Sequence, residues 1–309
     1  MKATQKNRNV TLVVVGSVGL DTVETPCARR EDLLGGSVSY ACSAASFFCP
    51  AGMVGIVGED FPQAYIDCYA GFGIDLAGLQ RVKGKTFRWA GVYESDMINR
   101  RTLRTDLNVF ADFSPDLPAA YRSAPFFLLG NISPALQLHV LAQAERPRFV
   151  AADTMDLWIG TARDPLMELI GKVNMLLLND GEARMLTDEH NLKRCAEKIL
   201  EWGPQYVVIK KGEHGAMLAS RSGLFLVPAY PVDAVRDPTG AGDAFAGAFM
   251  GALASGGATG DSDVRAALMA GSVVASFNVE DFSLDRLRRM NREDVDQRLR
   301  ELQRMVAMA

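Results

Sequence analysis

Residues 236–253, RDPTGAGDAFAGAFMGAL, contain the feature that decides the fold. Pro238, Gly240 and Gly242 interrupt the chain, and a run of small apolar residues follows a single carboxylate, Asp243. This composition predicts a tight turn and then a buried helix that begins at or just after Gly240. The N–H groups of a helix's first turn point outward and carry the positive end of the helix dipole. The turn is therefore suited to bind an anion such as phosphate.

Asp243 falls within the first turn of that helix, beside the expected anion site. A carboxylate there could accept a proton from an alcohol while the N–H groups stabilise charge on a transferring phosphoryl group. The ordinary alternative is that Asp243 only complements the helix dipole, as first-turn acids do. A run of Gly, Ala, Gly and Asp behind Asp-Pro-Thr is more specific than that alternative requires. The sequence therefore favours phosphoryl-transfer chemistry at this turn.

Continuous apolar runs alternate with helical patterns over most of the chain. Runs such as VTLVVVG, MVGIVG, PFFLLG, RFVAAD, NMLLLN and YVVIKKG are apolar throughout, which predicts a parallel sheet covered by helices on both faces. We expect the first strand at Val10–Val15 and one long helix over residues 182–203. The charged C-terminal residues 283–309 predict a pair of surface helices. The alternation is typical of the α/β class.

Two segments depart from this alternation. Residues 20–34 are polar and turn-rich, and residues 85–108 alternate like exposed antiparallel strands, with Phe87, Trp89 and Tyr93 on one parity. Together they predict a small sheet that stands off the main domain as a lid; a surface hairpin with a packed aromatic face is the alternative. The three aromatic rings could stack on a sugar or a nucleobase, or pack within the lid itself or against a second subunit.

The composition limits the class of protein. The chain has 309 residues and a formal net charge of -4, which argues against a basic face that binds nucleic acid. The 5 cysteines form no CxxC pair and the 3 histidines no HExxH motif, so a zinc site is not expected. No apolar run approaches the ~18 residues of a membrane span, and the apolar run after the basic N-terminus is too short for a signal peptide. We expect a cytoplasmic protein with reduced thiols that binds neither nucleic acid nor membranes.

Common nucleotide-binding and hydrolase motifs are missing from the sequence: the P-loop, a strand-coupled GxGxxG, the protein-kinase HRD and DFG motifs, and GxSxG. DPTGAGDAFAGAF instead closely resembles the C-terminal signature of the PfkB/ribokinase family of small-molecule kinases. GSVGLDTV, GGSVSYACSAAS, MVGIVGEDF, NDGEARML and KKGEHGAML resemble further segments of that family, so the resemblance covers almost the whole chain. It implies a single ribokinase-like domain over residues 1–309. That fold is a Rossmann-like three-layer α/β sandwich with a mostly parallel central sheet, flanking helices and a small β-sheet lid.

The resemblance also implies a role for each part of the site. Asp243 would be the general base toward the acceptor hydroxyl, and the N–H groups of Gly240, Ala241 and Gly242 would form the anion hole. ATP would be the phosphoryl donor and Mg²⁺ its metal, with a monovalent cation such as K⁺ as a further candidate. The residues implied to contact the substrate are Asp21, Gly35, Gly36, Asn131 and Asp243. Those implied to contact the nucleotide are Asn179, Lys210, Gly212, Gly215, Thr239, Gly240 and Gly242, and those implied to hold magnesium, mainly through water, are Asn179 and Glu182.

Several of these residues have a structural alternative. Glu182 could be an ordinary first-turn acid next to its helix cap, and Asp21 could hydrogen-bond its own loop. For Asn131, which follows a strand, substrate contact and turn chemistry are equally open. Asp153 also ends a strand, but Met155 stands where the family often has an asparagine, so the polar contact of that position is missing.

The acceptor alcohol does not follow from the sequence. An acidic group on the acceptor could bind to lid arginines, although such arginines are more often solvated; these are Arg88, Arg100, Arg101 and Arg104. The leading hypothesis is an ATP-dependent sugar kinase. A nucleoside kinase of the same fold, with an aromatic-lined pocket, is the alternative, and an inactive ligand-binding family member is the second alternative. The resemblance also implies a homodimer through the lid.

Overall fold

The computed structural model of the chain describes residues 9–307, in which thirteen strands and eleven helices follow one another. The strands are β1 (Leu12–Val15), β2 (Gly19–Glu24), β3 (Arg29–Gly35), β4 (Ala51–Gly58), β5 (Asp75–Val82), β6 (Phe87–Tyr93), β7 (Arg100–Asp106), β8 (Phe126–Leu129), β9 (Phe149–Asp153), β10 (Met175–Asn179), β11 (Tyr206–Lys210), β12 (Ala216–Ser220) and β13 (Gly223–Val227). The helices are α1 (Ser37–Ala45), α2 (Gln63–Gly71), α3 (Ala119–Arg122), α4 (Pro134–Leu141), α5 (Asp156–Thr161), α6 (Arg163–Ile170), α7 (Asp180–Thr187), α8 (Leu192–Glu201), α9 (Ala241–Gly256), α10 (Asp261–Asn278) and α11 (Arg292–Val306). The basic start of the N-terminal segment, residues 1–8, lies outside the described residues.

The central sheet has nine strands in the order β13-β12-β11-β10-β9-β8-β1-β4-β5, and only β12 and β13 run antiparallel to their neighbours. Side chains of β1 alternate between two hydrophobic clusters: Leu12 and Val14 lie in one, and Val13 and Val15 lie in the other. The first cluster includes residues of α1, α9 and α10, and the second includes residues of α4, α6, α7 and α8. The apolar runs are therefore buried on both faces, which confirms the three-layer α/β sandwich. No helix of residues 9–307 is long and apolar enough to cross a membrane.

The two segments that broke the alternation form a second sheet, which we call the lid. Its strand order is β3-β2-β6-β7, in which β2 and β6 pair in parallel and the outer pairs are antiparallel. The strands lie within residues 19–35 and 87–106, close to the segments expected from the sequence. The small sheet is therefore confirmed.

The small apolar residues of α9 allow this helix to lie very close to α1. A Cβ at Gly247 would come within 2.0 Å of the Ala41 carbonyl oxygen, and one at Gly251 within 2.8 Å of the Ala45 Cα atom. Real Cβ atoms do not approach backbone atoms so closely, so each position requires glycine. This close contact with α1 fixes the position of α9, and therefore of its first turn, relative to the central sheet.

Three boundaries differ from the sequence expectations. The helix expected over residues 182–203 is two helices, because Asp188 adopts a left-handed conformation (φ 55°) that ends α7, and Asn191 caps α8 by accepting a hydrogen bond from the Arg194 N–H. The C-terminal stretch contains one helix, α11, after a short 3₁₀ turn rather than a helix pair. The first strand begins at Leu12, two residues later than expected.

The α1–α9 contact can be tested with two substitutions in the same helix. Gly247→Ala should lower the free energy of unfolding by ~1–3 kcal/mol, the usual cost of inserting a methyl group into a closed contact. Gly256→Ala is the matched control, because nothing lies within 4 Å of its Cβ position, and alanine should leave stability unchanged or raise it by ~0.5–1 kcal/mol. Urea unfolding of both variants checks this, and equal stabilities would contradict the packing argument.

Candidate active site

The carboxyl ends of the parallel strands, the first turn of α9 and one face of the lid meet in the same region. Lys210 ends β11, and its Nζ atom lies 3.2 Å from the position that a Cβ at Gly242 would take. On the lid, the Tyr93 hydroxyl accepts a hydrogen bond from the Thr239 hydroxyl at 3.2 Å, a contact that the sequence did not reveal. Open α/β sheets bind their ligands at this edge.

The first turn of α9 begins as expected, directly after Gly240. Gly240 is the N-cap and has a φ of 74°, in the left-handed region that favours glycine. A Cβ at this position would also lie 2.3 Å from the ring of Tyr40 in α1. The backbone conformation and the close approach of the ring both require glycine, and they place Asp243 in the first turn of the helix.

The N–H groups of this turn are only partly free. The Ala241 N–H donates to the Pro238 carbonyl at 3.2 Å, so it is already used within the chain. The N–H groups of Gly240 and Gly242 have no acceptor among residues 9–307. An anion at this turn would therefore meet free donors at Gly240 and Gly242, but not at Ala241.

Asp243 has the acidity that proton transfer near neutral pH requires. Burial raises the pKa of Asp243 to about 7, and the negative charge of Asp153 adds to the rise. The positive charges of Lys210 and Arg100 oppose this increase in the pKa. A carboxylate with this pKa is partly ionised at pH 7 and binds a proton more strongly than an ordinary aspartate does, which suits a general base.

Asp21 is a second buried acid, and it has an unsatisfied oxygen. Its side chain packs on Gly35, where a Cβ would lie 1.9 Å from Oδ2, and Gly36 follows with a φ of 90°. The residue is 4% exposed, and its Oδ1 atom has no hydrogen-bond partner among the described residues. Burial raises the pKa of Asp21 to about 7, helped by the charges of Asp237 and Asp243. Buried polar atoms are almost always paired, so a ligand hydroxyl is the natural partner of this oxygen.

Lys210 forms a buried ion pair with Asp153. Its Nζ atom lies 2.8 Å from Oδ2 and 3.1 Å from Oδ1 of that carboxylate. Burial alone would lower the pKa of Lys210, but the charges of Asp153 and Glu182 outweigh it and raise the pKa above its ordinary value. The ammonium is therefore a permanent positive charge next to Gly242. Sequence reasoning gave Asp153 no role, because its partner lies 57 residues away in the chain.

Asn179 and Glu182 form a capping box at the start of α7. The Asn179 Oδ1 atom accepts from the Glu182 N–H at 2.8 Å, and Glu182 Oε2 accepts from the Asn179 N–H at 2.7 Å. The structural alternative is therefore present, and it leaves Oε1 of Glu182 without a hydrogen bond within residues 9–307. Burial raises the pKa of Glu182 to about 7, against the charge of Lys210, so a nearby cation would favour the ionised form.

The same region fits magnesium that is bound mainly through water. Among the described residues, no group of three or more His, Cys, Asp or Glu side chains could hold a metal ion directly. Mg²⁺ commonly keeps several waters and is held by one or two carboxylates together with substrate phosphates. Glu182 with Asn179 at the end of β10 suits that mode of binding rather than an all-protein cage.

Two further nucleotide-site expectations lie at this edge of the sheet. Gly212 and Gly215 form a tight turn directly after Lys210; both have positive φ, and a Cβ at Gly215 would lie 2.0 Å from the Val227 carbonyl oxygen. Thr239 precedes α9 and is fixed by its neighbours, since its N–H donates to Asp237 Oδ1 at 2.9 Å. Both segments are held rigidly beside the expected phosphate site.

Both polar atoms of the Asn131 side chain are already hydrogen-bonded within the chain, so the residue is not free to bind substrate. Its Nδ2 atom donates to the Met155 sulfur at 3.1 Å, and its Oδ1 atom accepts from the Trp158 indole N–H at 2.9 Å. The amide therefore fastens the end of β8 to the segment after β9. Met155 stands at the position where the family often has an asparagine, and its sulfur accepts the hydrogen bond from the Asn131 amide.

Phosphoryl transfer depends mostly on positioning and on charge stabilisation. It needs a base for the acceptor hydroxyl and donors or cations for the phosphoryl oxygens, and the start of α9 offers both within one turn. The fold and this edge of the sheet are those of a kinase that phosphorylates an alcohol group of a small molecule.

Comparisons with known proteins agree with this class. The model of the pfkB family carbohydrate kinases matches residues 10–286, and the chain belongs to this family. It is 32% identical over 251 residues to the cytidine kinase of Thermococcus kodakarensis, a match that covers 79% of this chain and 89% of that protein. The nucleoside kinase of Methanocaldococcus jannaschii, a member of the ribokinase family, superposes with a TM-score of 0.77 at 18% identity over 96% of this chain and 100% of that one. An Escherichia coli protein assigned as ribokinase II, in complex with ATP and Mg²⁺, has a TM-score of 0.77 at 18% identity over 94% and 99% of the two chains.

Because the Asp21 carboxyl is buried with one oxygen unpaired, we predict that removing its charge will stabilise the protein, and by more at high pH than at low pH. Because its pKa is about 7 in the folded protein and near 3.8 ordinarily, the folded state holds a proton that the unfolded chain releases between these values. Stability therefore falls as the pH rises from about 4 to about 7. Asp21→Asn should raise the free energy of unfolding at both pH values, by on the order of 2 kcal/mol more at pH 8 than at pH 5.

Urea unfolding at both pH values measures this difference. The matched control is Asp116→Asn, because the Asp116 side chain is 83% exposed and its removal should have the same small effect at both pH values. If Asp21→Asn shifted stability equally at pH 5 and pH 8, the buried unpaired charge would be the wrong explanation.

Proposed function

We propose that the protein transfers the γ-phosphate of ATP to a hydroxyl of a nucleoside, with Asp243 as the general base. The kinase class follows from the family; the nucleoside as acceptor and the roles of the residues are our inference. The observation that carries the proposal is the position of Asp243, in the first turn of α9 and beside the free N–H groups of Gly240 and Gly242. The similarity to a cytidine kinase over most of both chains supports a nucleoside rather than a free sugar.

The acceptor is held first by Asp21. Its unpartnered Oδ1 atom accepts a hydrogen bond from a sugar hydroxyl, which satisfies a buried carboxylate that the chain itself leaves unpaired. Gly35 and Gly36 let the ligand and the backbone approach each other without an intervening Cβ. The acceptor hydroxyl is thereby oriented toward the start of α9.

Asp243 then takes the proton of the acceptor hydroxyl as its oxygen attacks the γ-phosphorus. The bond from that phosphorus to the β,γ-bridging oxygen breaks, and ADP leaves with the electron pair. The N–H groups of Gly240 and Gly242 donate to the phosphoryl oxygens, and Lys210, held by Asp153, adds a positive charge on the same side. Such preorganised donors act where charge develops, so they lower the barrier.

The nucleotide lies along the ends of β10 and β11. Lys210, Thr239 and the turn from Gly212 to Gly215 border its phosphates in this proposal, because these segments meet at the start of α9. When bound, Mg²⁺ would neutralise part of the phosphate charge, and Asn179 and Glu182 would hold it, mainly through water.

Three finer expectations stay predictions beside this function. They are activation by K⁺, a homodimer through the lid, and a cytoplasmic location. Each is consistent with a kinase that uses cellular ATP, and each is separate from the chemistry at α9.

The acceptor and the base can be tested in one experiment. ADP release is measured with a panel of nucleosides, free sugars, sugar acids and polyols, and nucleosides should give the highest kcat/KM. Asp243→Asn should lower kcat by at least ~10²-fold with the preferred acceptor, the usual contribution of a general base, while ATP binding changes little.

One further measurement and three possible contrary outcomes sharpen the result. In the wild type, kcat/KM should fall as the pH drops below about 7, because the base becomes protonated. Turnover of sugars but not nucleosides would overturn the acceptor class, and near-normal turnover by Asp243→Asn would remove Asp243 from the mechanism. Ligand binding without any turnover would instead identify an inactive family member.

The magnesium role of Glu182 has its own prediction. Glu182→Gln keeps an oxygen that can complete the capping box but removes the negative charge, so the Mg²⁺ concentration for half-maximal activity should rise several-fold. Asp180→Asn removes a charge from the same helical turn, where Asp180 pairs with Arg184, and serves as the matched control. Superimposable magnesium curves for the wild type and Glu182→Gln would contradict this role.

A further inference from the structure

The lid carries an aromatic platform on the face that looks toward the site. The Trp89 ring lies across Gly91, where a Cβ would come within 2.2 Å of the indole. The indole N–H donates to the Thr102 hydroxyl at 3.2 Å, which fixes the direction of the ring. Because Gly91 has no side chain, the ring lies along the sheet and presents a flat surface instead of projecting into solvent.

A bulge in β7 decides which side chains share this face. Ala90 pairs with Arg104, whereas its neighbour Gly91 pairs with Thr102, so Leu103 is the extra residue and has no partner. A bulge of one residue reverses the faces of the side chains beyond it. Without it, alternation would place Arg100 and Arg104 on the same face.

The bulge separates Arg100 from the other arginines of the lid. Arg100 pairs with Tyr93, and its guanidinium lies over the Trp89 ring, with 5.6 Å between Cζ and the ring centroid. Arg101 pairs with Val92 and lies on the opposite face. Arg100 is thus the one of the four lid arginines named from the sequence that contacts the platform.

Within residues 9–307, Arg100 has no carboxylate partner, a property that it shares with Arg101 but not with Arg88 or Arg104. Arg88 forms ion pairs with Asp32 and Asp60, and Arg104 pairs with Asp106. Within residues 9–307, no carboxylate lies within ion-pair distance of Arg100. The Tyr93 hydroxyl interacts with the guanidinium, and the remaining donors are available to a ligand, while the cation–π contact with the indole limits where they point.

The platform lies next to the acid that we assign to the sugar hydroxyls. Trp89 is the register partner of Asp21 in the neighbouring strand β2, so the two side chains lie side by side on one face. Burial dominates the raised pKa values of Asp21 and Asp243, and the charge of Arg100 reaches both carboxyls and opposes the increase. One ligand can therefore contact the acid and the platform together.

We propose that Trp89 and Arg100 form the base subsite of the nucleoside: the indole holds the guanidinium in place, and the guanidinium donates to a carbonyl or ring nitrogen on the edge of the base. This inference rests on the proposed function. Asp21 accepts hydrogen bonds from hydroxyls, Arg100 only donates them, and the indole fixes where the guanidinium points. A free pentose would match the acid but leave the arginine unused, whereas a nucleoside matches both.

Steady-state kinetics with cytidine as the acceptor test the subsite. Arg100→Gln should raise the KM for cytidine about 10-fold or more. At pH 9, where Asp243 is ionised in both proteins, it should change kcat less than about threefold, because the arginine holds the base and does not contact the reacting atoms. Arg100→Lys keeps the charge but loses the planar fork of donors, so it should restore only part of the affinity. Gly91→Ala, which displaces the indole, should raise the KM for cytidine in the same way.

Arg101→Gln is the matched control, because it removes the neighbouring positive charge from the opposite face and should leave both constants unchanged. Ribose serves as the acceptor without a base, used as a substrate or as a competitive inhibitor, and its constant should be the same in Arg100→Gln and the wild type. An unchanged KM for cytidine in Arg100→Gln, or an equal loss of kcat with every acceptor, would overturn this inference alone. A wild type that phosphorylates no nucleoside would overturn the proposed function and this inference with it.

Discussion

The close contact between α9 and α1 is the constraint on which the site depends. Gly247 allows the two backbones to touch, and Gly240 allows the first turn of α9 to fit against the Tyr40 ring. A larger residue at either position would move the helix start, and with it the N–H groups and Asp243, away from the strand ends. The small apolar residues of α9 therefore hold the proposed catalytic carboxylate and the proposed anion site beside the strand ends.

The second organising feature is an excess of acidic groups, buried or partly buried, at the edge of the sheet. Asp21, Asp243 and Glu182 each have a pKa raised to about 7, in every case first of all by burial. Lys210 opposes this for two of them, but it is already bound to Asp153. The site therefore lacks positive charge and hydroxyl donors when it is considered alone. Those are the groups that a metal–nucleotide complex and a polyhydroxyl acceptor bring, so the ligands complete the balance of charges that the protein leaves open.

Sequence patterns were sufficient for the layers of the fold, the lid and the start of α9, because each depends on local composition: apolar runs, alternation and a glycine-rich turn. They failed where a partner comes from a distant segment. The pairing of Lys210 with Asp153 and the occupation of the Asn131 amide by Trp158 have no local signal. The break at Asp188 was missed for another reason, since the apolar period continues through it and only the left-handed backbone ends the helix.

In the lid, one unpaired residue in β7 determines which side chains lie on the same face of the sheet. Parity along β7 groups Arg100 with Arg104, and only the bulge at Leu103 places them on opposite faces. In our proposal, the residues that contact the acceptor beyond its reacting hydroxyl are carried by a sheet that is separate from α9. The proposed chemistry then depends on the contact between two helices, and the proposed acceptor choice on the exposed strands of the lid. Because the two functions lie on different elements, a change of register or side chain in β6 and β7 could alter which alcohol is accepted while the base and the anion site stay in place.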